Sequence, residues 1–319
     1  MLRYITIFIL SGLLVWIFTP LAERLSYRLG IIDIPSKRKP HAKPTPLMGG
    51  WAMLISFVIS TVVALPLKGH RVGILLGAFL AFAIGLADDY VKSRGKELGA
   101  LPKFLGQVLA ALVLASCGVR IYHITNPFSA TGGLIWFSPL VSYLMTVLWV
   151  VGVMNIINFM DGLDGLAAGI SCIAASTLAL VAWQMNQTAS ATLAVIVVGI
   201  TLGFLRFNKH PASIFMGDMG SNFLGFLLGA ISVGGSFKSA TFVGMVVPIL
   251  ALGLPIADTA FNVIRRTKNG KPFYEADLGH TFHRLQRWGL TQVQTVYFMY
   301  LISICFSLTA LIFLFASRR

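Results

Sequence analysis

The segment NIINFMDGLDGLAAG, residues 155–169, interrupts a long apolar part of the chain with two amides and two carboxylates. These four residues are spaced by three, and residues three apart in a helix lie on one face. The spacing therefore predicts a polar stripe along a helix, formed by Asn155, Asn158, Asp161 and Asp164. Carboxylates beside a membrane-length apolar segment are costly to place, so this stripe indicates a functional site.

The composition around this segment is that of a membrane protein. The 319 residues are 56% hydrophobic and 11% charged, whereas soluble domains are about 25% charged. The mean hydropathy is +0.81. Runs of about 20 apolar residues can cross a bilayer as helices. We therefore predict one all-α polytopic domain over residues 1–319, with about ten transmembrane helices at 4–21, 48–67, 72–87, 103–120, 138–158, 165–184, 190–207, 220–237, 240–263 and 293–315.

The charged residues are distributed unevenly across this predicted bundle. Ten helices place 18 of the 25 Lys and Arg residues on one side, which the positive-inside rule makes cytoplasmic. All 11 acidic residues fall on that side or, for Asp258, in the inner third of a helix. This one-sided pattern argues against nucleic-acid binding and predicts an active site that faces the cytoplasm.

Two further acidic motifs lie at predicted helix ends. Asp88 and Asp89 end the third apolar run, and adjacent helical residues point in different directions, so we do not expect both to bind one ion unless the helix ends there. Asp218 lies between glycines in FMGDMGS, residues 215–221. Backbone N–H groups at a helix start suit a phosphate, although Asp218 could simply cap the helix.

Cationic motifs accompany the carboxylates. A long predicted loop, 265–291, contains His280, His283 and Arg284, and such a set suits a pyrophosphate or sugar. The first cytoplasmic loop adds His41 and Lys43, which could also serve topology and attraction to lipid headgroups. Mg²⁺ commonly takes one or two carboxylates plus substrate phosphates. The combination predicts phosphoryl transfer between a cytosolic nucleotide substrate and a membrane lipid.

The motifs at 86–90, 155–169, 215–221 and 280–285, with 41–50, resemble the polyprenyl-phosphate N-acetylhexosamine-1-phosphate transferases. Within this family the chain is most similar to the WecA/TagO branch, which moves N-acetylglucosamine 1-phosphate from UDP-GlcNAc to undecaprenyl phosphate and releases UMP. The MraY branch, which uses UDP-MurNAc-pentapeptide, usually has His-His-His-Phe-Glu where this chain has HTFHRL, 280–285. The WecA/TagO branch commonly has His-x-His-His-Arg-Leu there, so Phe282 replaces its middle histidine.

The resemblance implies a role for each motif residue. Asp218 would bind Mg²⁺, or Mn²⁺ in its place, and Asn158 and Asp161 would order the metal and the pyrophosphate. Asp88 would position or deprotonate the lipid phosphate, with Asp89 in support. The implied substrate-binding residues are Asn155, Asp164 and Phe215 (the last two for uracil), His280, His283 and Arg284 for the phosphates or sugar, and Lys43 for the nucleotide.

Several alternatives stay open from the sequence. The lipid phosphate could attack the β-phosphorus directly, or the reaction could pass through a phosphorylated Asp. Other UDP-N-acetylhexosamines fit similar motifs, and members of the family are often homodimers. The rival class is an ion-coupled transporter that uses Asp258 and Asp164, although Asp258 could also be an interior group satisfied beside Asn262. Absence of an internal repeat weakly disfavours transporter folds built from inverted halves.

Overall fold

The computed structural model describes residues 1–34, 44–96, 98–126, 133–235, 242–268 and 279–316, with the backbone alone at 242–245. These residues form helices joined by turns and two short hairpins. The helices are α1 Leu2–Leu29, α2 Gly49–Ala64, α3 His70–Ser93, α4 Ala100–Ser116, α5 Pro139–Met160, α6 Leu166–Gln184, α7 Thr188–Asn208, α8 Gly217–Gly234, α9 Phe242–Ala251, α10 Gly253–Lys268, α11 Thr281–Arg287 and α12 Gln292–Ala316. The two antiparallel hairpins pair β1 Ile32–Asp33 with β2 Thr45–Pro46, and β3 His123–Thr125 with β4 Leu134–Trp136.

The prediction of an all-α, multi-pass membrane protein is confirmed. Among the described helices, six are long and apolar enough to cross a membrane: α1, α3, α5, α6, α7 and α12. The apolar helices α2 and α4 are shorter, with 16 and 17 residues. The total of ten spans therefore stays a prediction.

Helix α8 lies at the centre of the bundle, and nearly all of its side chains are buried. Its glycines allow this position: a Cβ on Gly225 would lie 2.5 Å from the Cα of Met154 on α5. A small residue at such a contact lets two backbones approach closely. The start of α8, where Asp218 lies, is thereby held against the end of α5, where Asn158 lies.

The polar stripe predicted over residues 155–164 is wrong beyond Met160. Helix α5 ends there, Asp161 is its C-cap, and residues 161–165 form a turn that leads into α6. Gly165 has φ of +79°, a conformation that glycine adopts without steric cost. Asn155 and Asn158 therefore share a helix, whereas Asp161 and Asp164 do not belong to it.

Two other expectations are corrected. The single helix predicted over 240–263 is two helices, α9 and α10, separated at Leu252. Pro255 fits this break, since it has no N–H to donate to the carbonyl four residues earlier and suits the first turn of α10. The loop predicted over 265–291 is also partly helical, because α10 continues to Lys268 and α11 spans Thr281–Arg287.

Candidate active site

A compact set of charged side chains, which we call the carboxylate–lysine cluster, lies where four helix ends meet. Its members are Asp88 and Lys92 from the end of α3, Lys103 from the start of α4, Asn158 from the end of α5 and Asp218 from the start of α8. Since neighbouring helices run in opposite directions, the ends of α3 and α5 and the starts of α4 and α8 lie on one side of the bundle.

The two lysines bridge the two carboxylates. Lys103 Nζ lies 3.0 Å from Asp88 Oδ2 and 3.0 Å from Asp218 Oδ2. Lys92 Nζ lies 3.1 Å from Asp88 Oδ2 and also contacts Asp218 Oδ2. Asn158 completes the set: its Nδ2 donates to Asp218 Oδ1 at 2.8 Å, and its Oδ1 accepts from Lys103 at 3.2 Å. Asp88 and Asp218 thus form one electrostatic unit.

Asp89 belongs to a different set of contacts from its neighbour Asp88. Its Oδ1 accepts from the backbone N–H of Asp218, and its Oδ2 from that of Met219, both at 2.9 Å. A carboxylate in this position satisfies the first N–H groups of α8 and its helix dipole. The expectation that the two adjacent carboxylates point in different directions is confirmed, and Asp89 anchors the segment that presents Asp218.

Beneath the cluster, a ladder of amides joins α4, α5 and α8. Asn155 Nδ2 donates to Gln107 Oε1 at 2.8 Å, and Gln107 Nε2 donates to Asn222 Oδ1 at 2.8 Å. Asn222 Nδ2 donates in turn to the backbone carbonyl of Asp218 at 2.8 Å. Buried amides that satisfy one another in this way hold neighbouring helices in register. Asn155, predicted to bind substrate, is part of this support.

The turn at 161–165 is tied to the loop that precedes α8. Asp164 Oδ2 lies 2.8 Å from His210 Nδ1 and accepts from the backbone N–H of Ala212 at 3.2 Å. Asn208 Oδ1 accepts from the N–H of Gly165 at 3.1 Å. Phe215 follows in the same loop, and its N–H donates to the carbonyl of Pro46 at 2.8 Å. Asp164 and Phe215, the residues predicted to hold a base, are therefore attached to one segment.

The histidine motif lies against α10. His280 is the N-cap residue of α11, and its Nδ1 lies 2.7 Å from the buried Oδ2 of Asp258. Its ring stacks on Phe282 with centroids 5.6 Å apart and lies 5.7 Å from Phe159 of α5. Phe282 is buried under the turn at 161–165, where a Cβ on Gly162 would lie 2.6 Å from its ring. The motif is thus docked onto the end of α5.

The other motif residues are placed as follows. His283 packs its ring 4.4 Å from Phe282. The Arg284 guanidinium lies over the rings of Phe261, at 4.9 Å, and Trp288, at 5.6 Å. Lys43 and His41 lie outside the described residues. Asp161, as the α5 C-cap, lies one helical turn from Asn158 and donates its N–H to the Asn158 carbonyl at 3.2 Å.

Sequence reasoning missed Lys103, Gln107 and His210 as site residues. Lys103 is one of the 18 basic residues on the predicted cytoplasmic side, and the motifs assign it no further role. Its position at the start of an apolar run was the available signal, because ionisable residues at such places are usually functional. No local signal marks His210, whose partner Asp164 lies 46 residues earlier in the chain.

The cluster has the chemistry of a divalent-cation site with few protein ligands. The described residues contain no group of three or more His, Cys, Asp or Glu arranged to hold a metal, but Mg²⁺ often binds through one or two carboxylates plus substrate phosphates. Asp88 Oδ1 is buried without a hydrogen-bond partner. The three carboxylates of Asp88, Asp89 and Asp218 face two lysines, which leaves an excess of negative charge. These residues therefore fit Mg²⁺ held by Asp218 and Asn158.

Comparison with known proteins agrees with this geometry. The model of glycosyl transferase family 4 matches residues 71–236, which include Asp88, Asn158 and Asp218. The chain belongs to glycosyl transferase family 4. Membership of a transferase family argues against the rival interpretation as an ion-coupled transporter; of the two acidic residues assigned to ion coupling, Asp164 lies within the match and Asp258 outside it.

Individual relatives cover most of the chain. It is 40% identical over 314 residues to a probable undecaprenyl-phosphate N-acetylglucosaminyl 1-phosphate transferase of Bacillus subtilis, covering 98% of this chain and 85% of the relative. It is 31% identical to the decaprenyl-phosphate N-acetylglucosaminephosphotransferase of Mycolicibacterium smegmatis, covering 91% and 77%. A phospho-N-acetylmuramoyl-pentapeptide-transferase of Staphylococcus carnosus is 31% identical, with 92% of each chain covered.

Proposed function

We propose that this protein transfers N-acetylglucosamine 1-phosphate from UDP-GlcNAc to undecaprenyl phosphate, releasing UMP, as the first step of a cell-envelope polysaccharide. The observation that supports this most directly is the carboxylate–lysine cluster at one end of an apolar bundle. A lipid phosphate and a water-soluble nucleotide can meet only where a membrane domain borders water. The 40% identity to the Bacillus subtilis relative supports the choice of sugar and lipid.

The proposed chemistry is a single in-line displacement. A phosphate oxygen of the lipid attacks the β-phosphorus of UDP-GlcNAc, and the bond from that phosphorus to the bridging oxygen breaks, so UMP leaves with the electron pair. Asp88 positions the lipid phosphate or takes its proton through the buried Oδ1 that has no other partner. Lys92 and Lys103 offset the negative charge of the phosphates, the main requirement in phosphoryl transfer.

Mg²⁺ held by Asp218 and Asn158, with Asp161 ordering the same region, would supply further charge neutralisation at the pyrophosphate. The competing route, through a phosphorylated Asp, has two displacements. Inversion of configuration at the transferred phosphorus is expected here, and retention would refute the single displacement.

The nucleotide is proposed to bind beside the turn at 161–165. Asp164, in this turn, and Phe215, in the loop before α8, would hold uracil. The two segments are joined because Asp164 accepts a hydrogen bond from the N–H of Ala212 in that loop. The sugar or its phosphates would contact His280, His283 and Arg284. The N-terminal loop with Lys43 would add a nucleotide contact.

We also propose that this end of the bundle faces the cytoplasm, where UDP-sugars are made. The predicted topology places 18 of 25 basic residues there, as the positive-inside rule requires of the cytoplasmic side. The protein would therefore lie in the cell (inner) membrane. A homodimer is part of the proposal because relatives of this kind often pair.

The second candidate function is transfer of phospho-N-acetylmuramoyl-pentapeptide, which the 31% identity to the Staphylococcus carnosus relative favours. The site disfavours it, because Phe282 occupies the middle of the histidine motif and is buried under Gly162. A histidine is therefore not available at position 282 to contact a large peptide-bearing sugar.

The test is UMP release by purified protein in detergent with undecaprenyl phosphate, Mg²⁺ and, in parallel, UDP-GlcNAc, UDP-GalNAc or UDP-MurNAc-pentapeptide. Lipid-dependent release with UDP-GlcNAc, abolished by EDTA and by Asp218→Asn, is expected. Release only with UDP-MurNAc-pentapeptide would favour the second candidate. No release with any of the three from a folded preparation would refute the proposal.

A further inference from the structure

A buried carboxylate on α10 lies behind the histidine motif, and the proposed reaction does not yet use it. Asp258 has a side chain only 1% exposed, and both of its oxygens are engaged. Oδ2 lies 2.7 Å from His280 Nδ1, and Oδ1 accepts from the backbone N–H of Thr281 at 2.7 Å. A buried carboxylate aimed at one imidazole nitrogen determines which nitrogen of that ring bears the proton.

The protonation of His280 follows from these contacts. Two acceptors at 2.7 Å would repel, so His280 Nδ1 must be the N–H donor to this carboxylate. Asn262 also lies 2.9 Å from Nδ1, and its Oδ1 is buried without a partner. Rotating that carboxamide by half a turn lets Asn262 accept from the same N–H.

The rest of the ring is fixed by packing. His280 stacks on Phe282 at an interplanar angle of 6°, and Phe282 is wedged under Gly162. Among the described residues, none bonds to Nε2 of His280. The ring is therefore held at one nitrogen and one face, and the second nitrogen is left for a ligand.

We propose that Asp258 is a positioning residue that fixes the Nδ1–H form of His280 and so leaves the Nε2 lone pair to accept a hydrogen bond from a hydroxyl group of the nucleotide sugar. Phe282 serves the same end, as a packing support for the ring in place of a ligand-binding histidine. The inference rests on the proposed function, since it names the residue behind one of the proposed substrate contacts. Asp258 itself touches no substrate.

The first test is independent of activity. The full-length protein, labelled with ¹⁵N-histidine in detergent, is studied by NMR, and His280 is assigned by its loss in His280→Gln. The expected signature is a protonated Nδ1 in the wild type and a shift toward the Nε2–H form in Asp258→Asn, whose amide can donate to Nδ1. A wild-type ring protonated only at Nε2 would overturn the proposal, whether or not the variant folds.

The second test separates positioning from capping of α11. Thr281→Pro removes the backbone and side-chain hydrogen bonds of Thr281 to Asp258 but keeps that of His280, and it suits the site because proline is favoured at the first helical position. His280, with φ −57° and ψ 149°, has the backbone that a residue before proline requires. Thr259→Val is the neutral control on α10, since its hydroxyl is buried without a partner.

Asp258→Asn should lower kcat/KM for UDP-GlcNAc about 10- to 100-fold and leave the KM for undecaprenyl phosphate within about twofold. Thr281→Pro and Thr259→Val should stay within about threefold of the wild type. Adding Asp258→Asn to His280→Gln should cause little further loss, because coupled residues are not additive. The proposal is overturned if the kcat/KM losses of Asp258→Asn and His280→Gln multiply in the double variant. It is also overturned if Thr281→Pro loses as much kcat/KM as Asp258→Asn.

Failure of the proposed function looks different. If the folded wild type releases no UMP from any UDP-N-acetylhexosamine, that function is wrong and the inference falls with it, whatever NMR shows of the contact. If the wild type is active but Asp258→Asn leaves both the NMR signature and kcat/KM unchanged, the inference alone is wrong.

Discussion

Neutralising Asp88 and neutralising Asp89 should give opposite phenotypes, although the two residues are adjacent. The structure assigns them to different partners. Asp88 faces Lys92 and Lys103 within the carboxylate–lysine cluster, whereas Asp89 accepts the first backbone N–H groups of α8. Asp88→Asn should therefore mainly reduce turnover, and Asp89→Asn should mainly reduce stability.

The cost of Asp89→Asn can be estimated from its two bonds. Asparagine has one acceptor oxygen, so its amide can satisfy only one of the N–H groups of Asp218 and Met219, each now at 2.9 Å from a carboxylate oxygen. A lost hydrogen bond to a charged group costs about 1.5–3 kcal/mol. Losing the charge at the start of α8 adds up to about 2 kcal/mol. The total is about 2–5 kcal/mol.

Asp88→Asn should cost much less. Lys92 is 40% exposed and can turn to water, and Lys103 keeps contacts with Asp218 at 3.0 Å and with Asn158 at 3.2 Å. A partly exposed ion pair is worth about 1 kcal/mol or less. The reaction, by contrast, loses the group proposed to position or deprotonate the lipid phosphate, which contributes about 100-fold or more.

The assay compares both variants with the wild type by thermal unfolding in detergent and by UMP release. At roughly 2–4 °C per kcal/mol, Asp89→Asn should lower the apparent Tm by about 10 °C, and Asp88→Asn by less than about 3 °C. Asp88→Asn should release UMP at about 1% of the wild-type rate or less. The reasoning is refuted if Asp88→Asn is the less stable variant, or if Asp89→Asn unfolds like the wild type.

Three further predictions concern the same end of the bundle. EDTA should abolish UMP release yet lower the apparent Tm by less than about 2 °C, because Lys92 and Lys103 bridge Asp88 and Asp218 without a metal; a large fall would mean that the metal holds the helices together. Gly162→Ala should lower kcat several-fold, since its Cβ would lie 2.6 Å from the ring that supports His280, while Gly152→Ala, with open space beside it on α5, should not. Tyr300→Phe removes the 2.6 Å bond to the carbonyl of Gly165 and should cost about 1 kcal/mol of unfolding free energy, with exposed Tyr297→Phe as the unaffected control in the same melting assay.

The family resemblance implied that Asn158 and Asp218 act at one metal site. Each lies at a helix end, and a topology of alternating helices places those two ends on the same side of the membrane. The structure joins them by a bond of 2.8 Å. The same reasoning placed Asp88 on that side, and family resemblance correctly indicated a glycosyl transferase.

The support of the site could not be predicted in this way. Gln107 bonds to Asn155 and Asn222, which lie 48 and 115 residues away in the chain. Which helices are neighbours is decided by packing in three dimensions, and the apolar runs are too similar to encode it. The stripe over 155–164 failed for a local reason: three-residue spacing is compatible with a helix, but glycines at 162 and 165 permit the chain to turn instead.

The end of α5 and the turn at 161–165 that follows it contact every part of the proposed site. Asn158 lies in the carboxylate–lysine cluster, Phe159 faces His280, and Gly162 receives Phe282. Further along the turn, Asp164 bonds to His210, and the carbonyl of Gly165 accepts a hydrogen bond from Tyr300 of α12. A shift of this turn must therefore move the proposed metal, nucleotide and phosphate contacts together. One substitution in this close-packed glycine turn should therefore affect sugar recognition and phosphoryl transfer together, although the residues involved come from several helices.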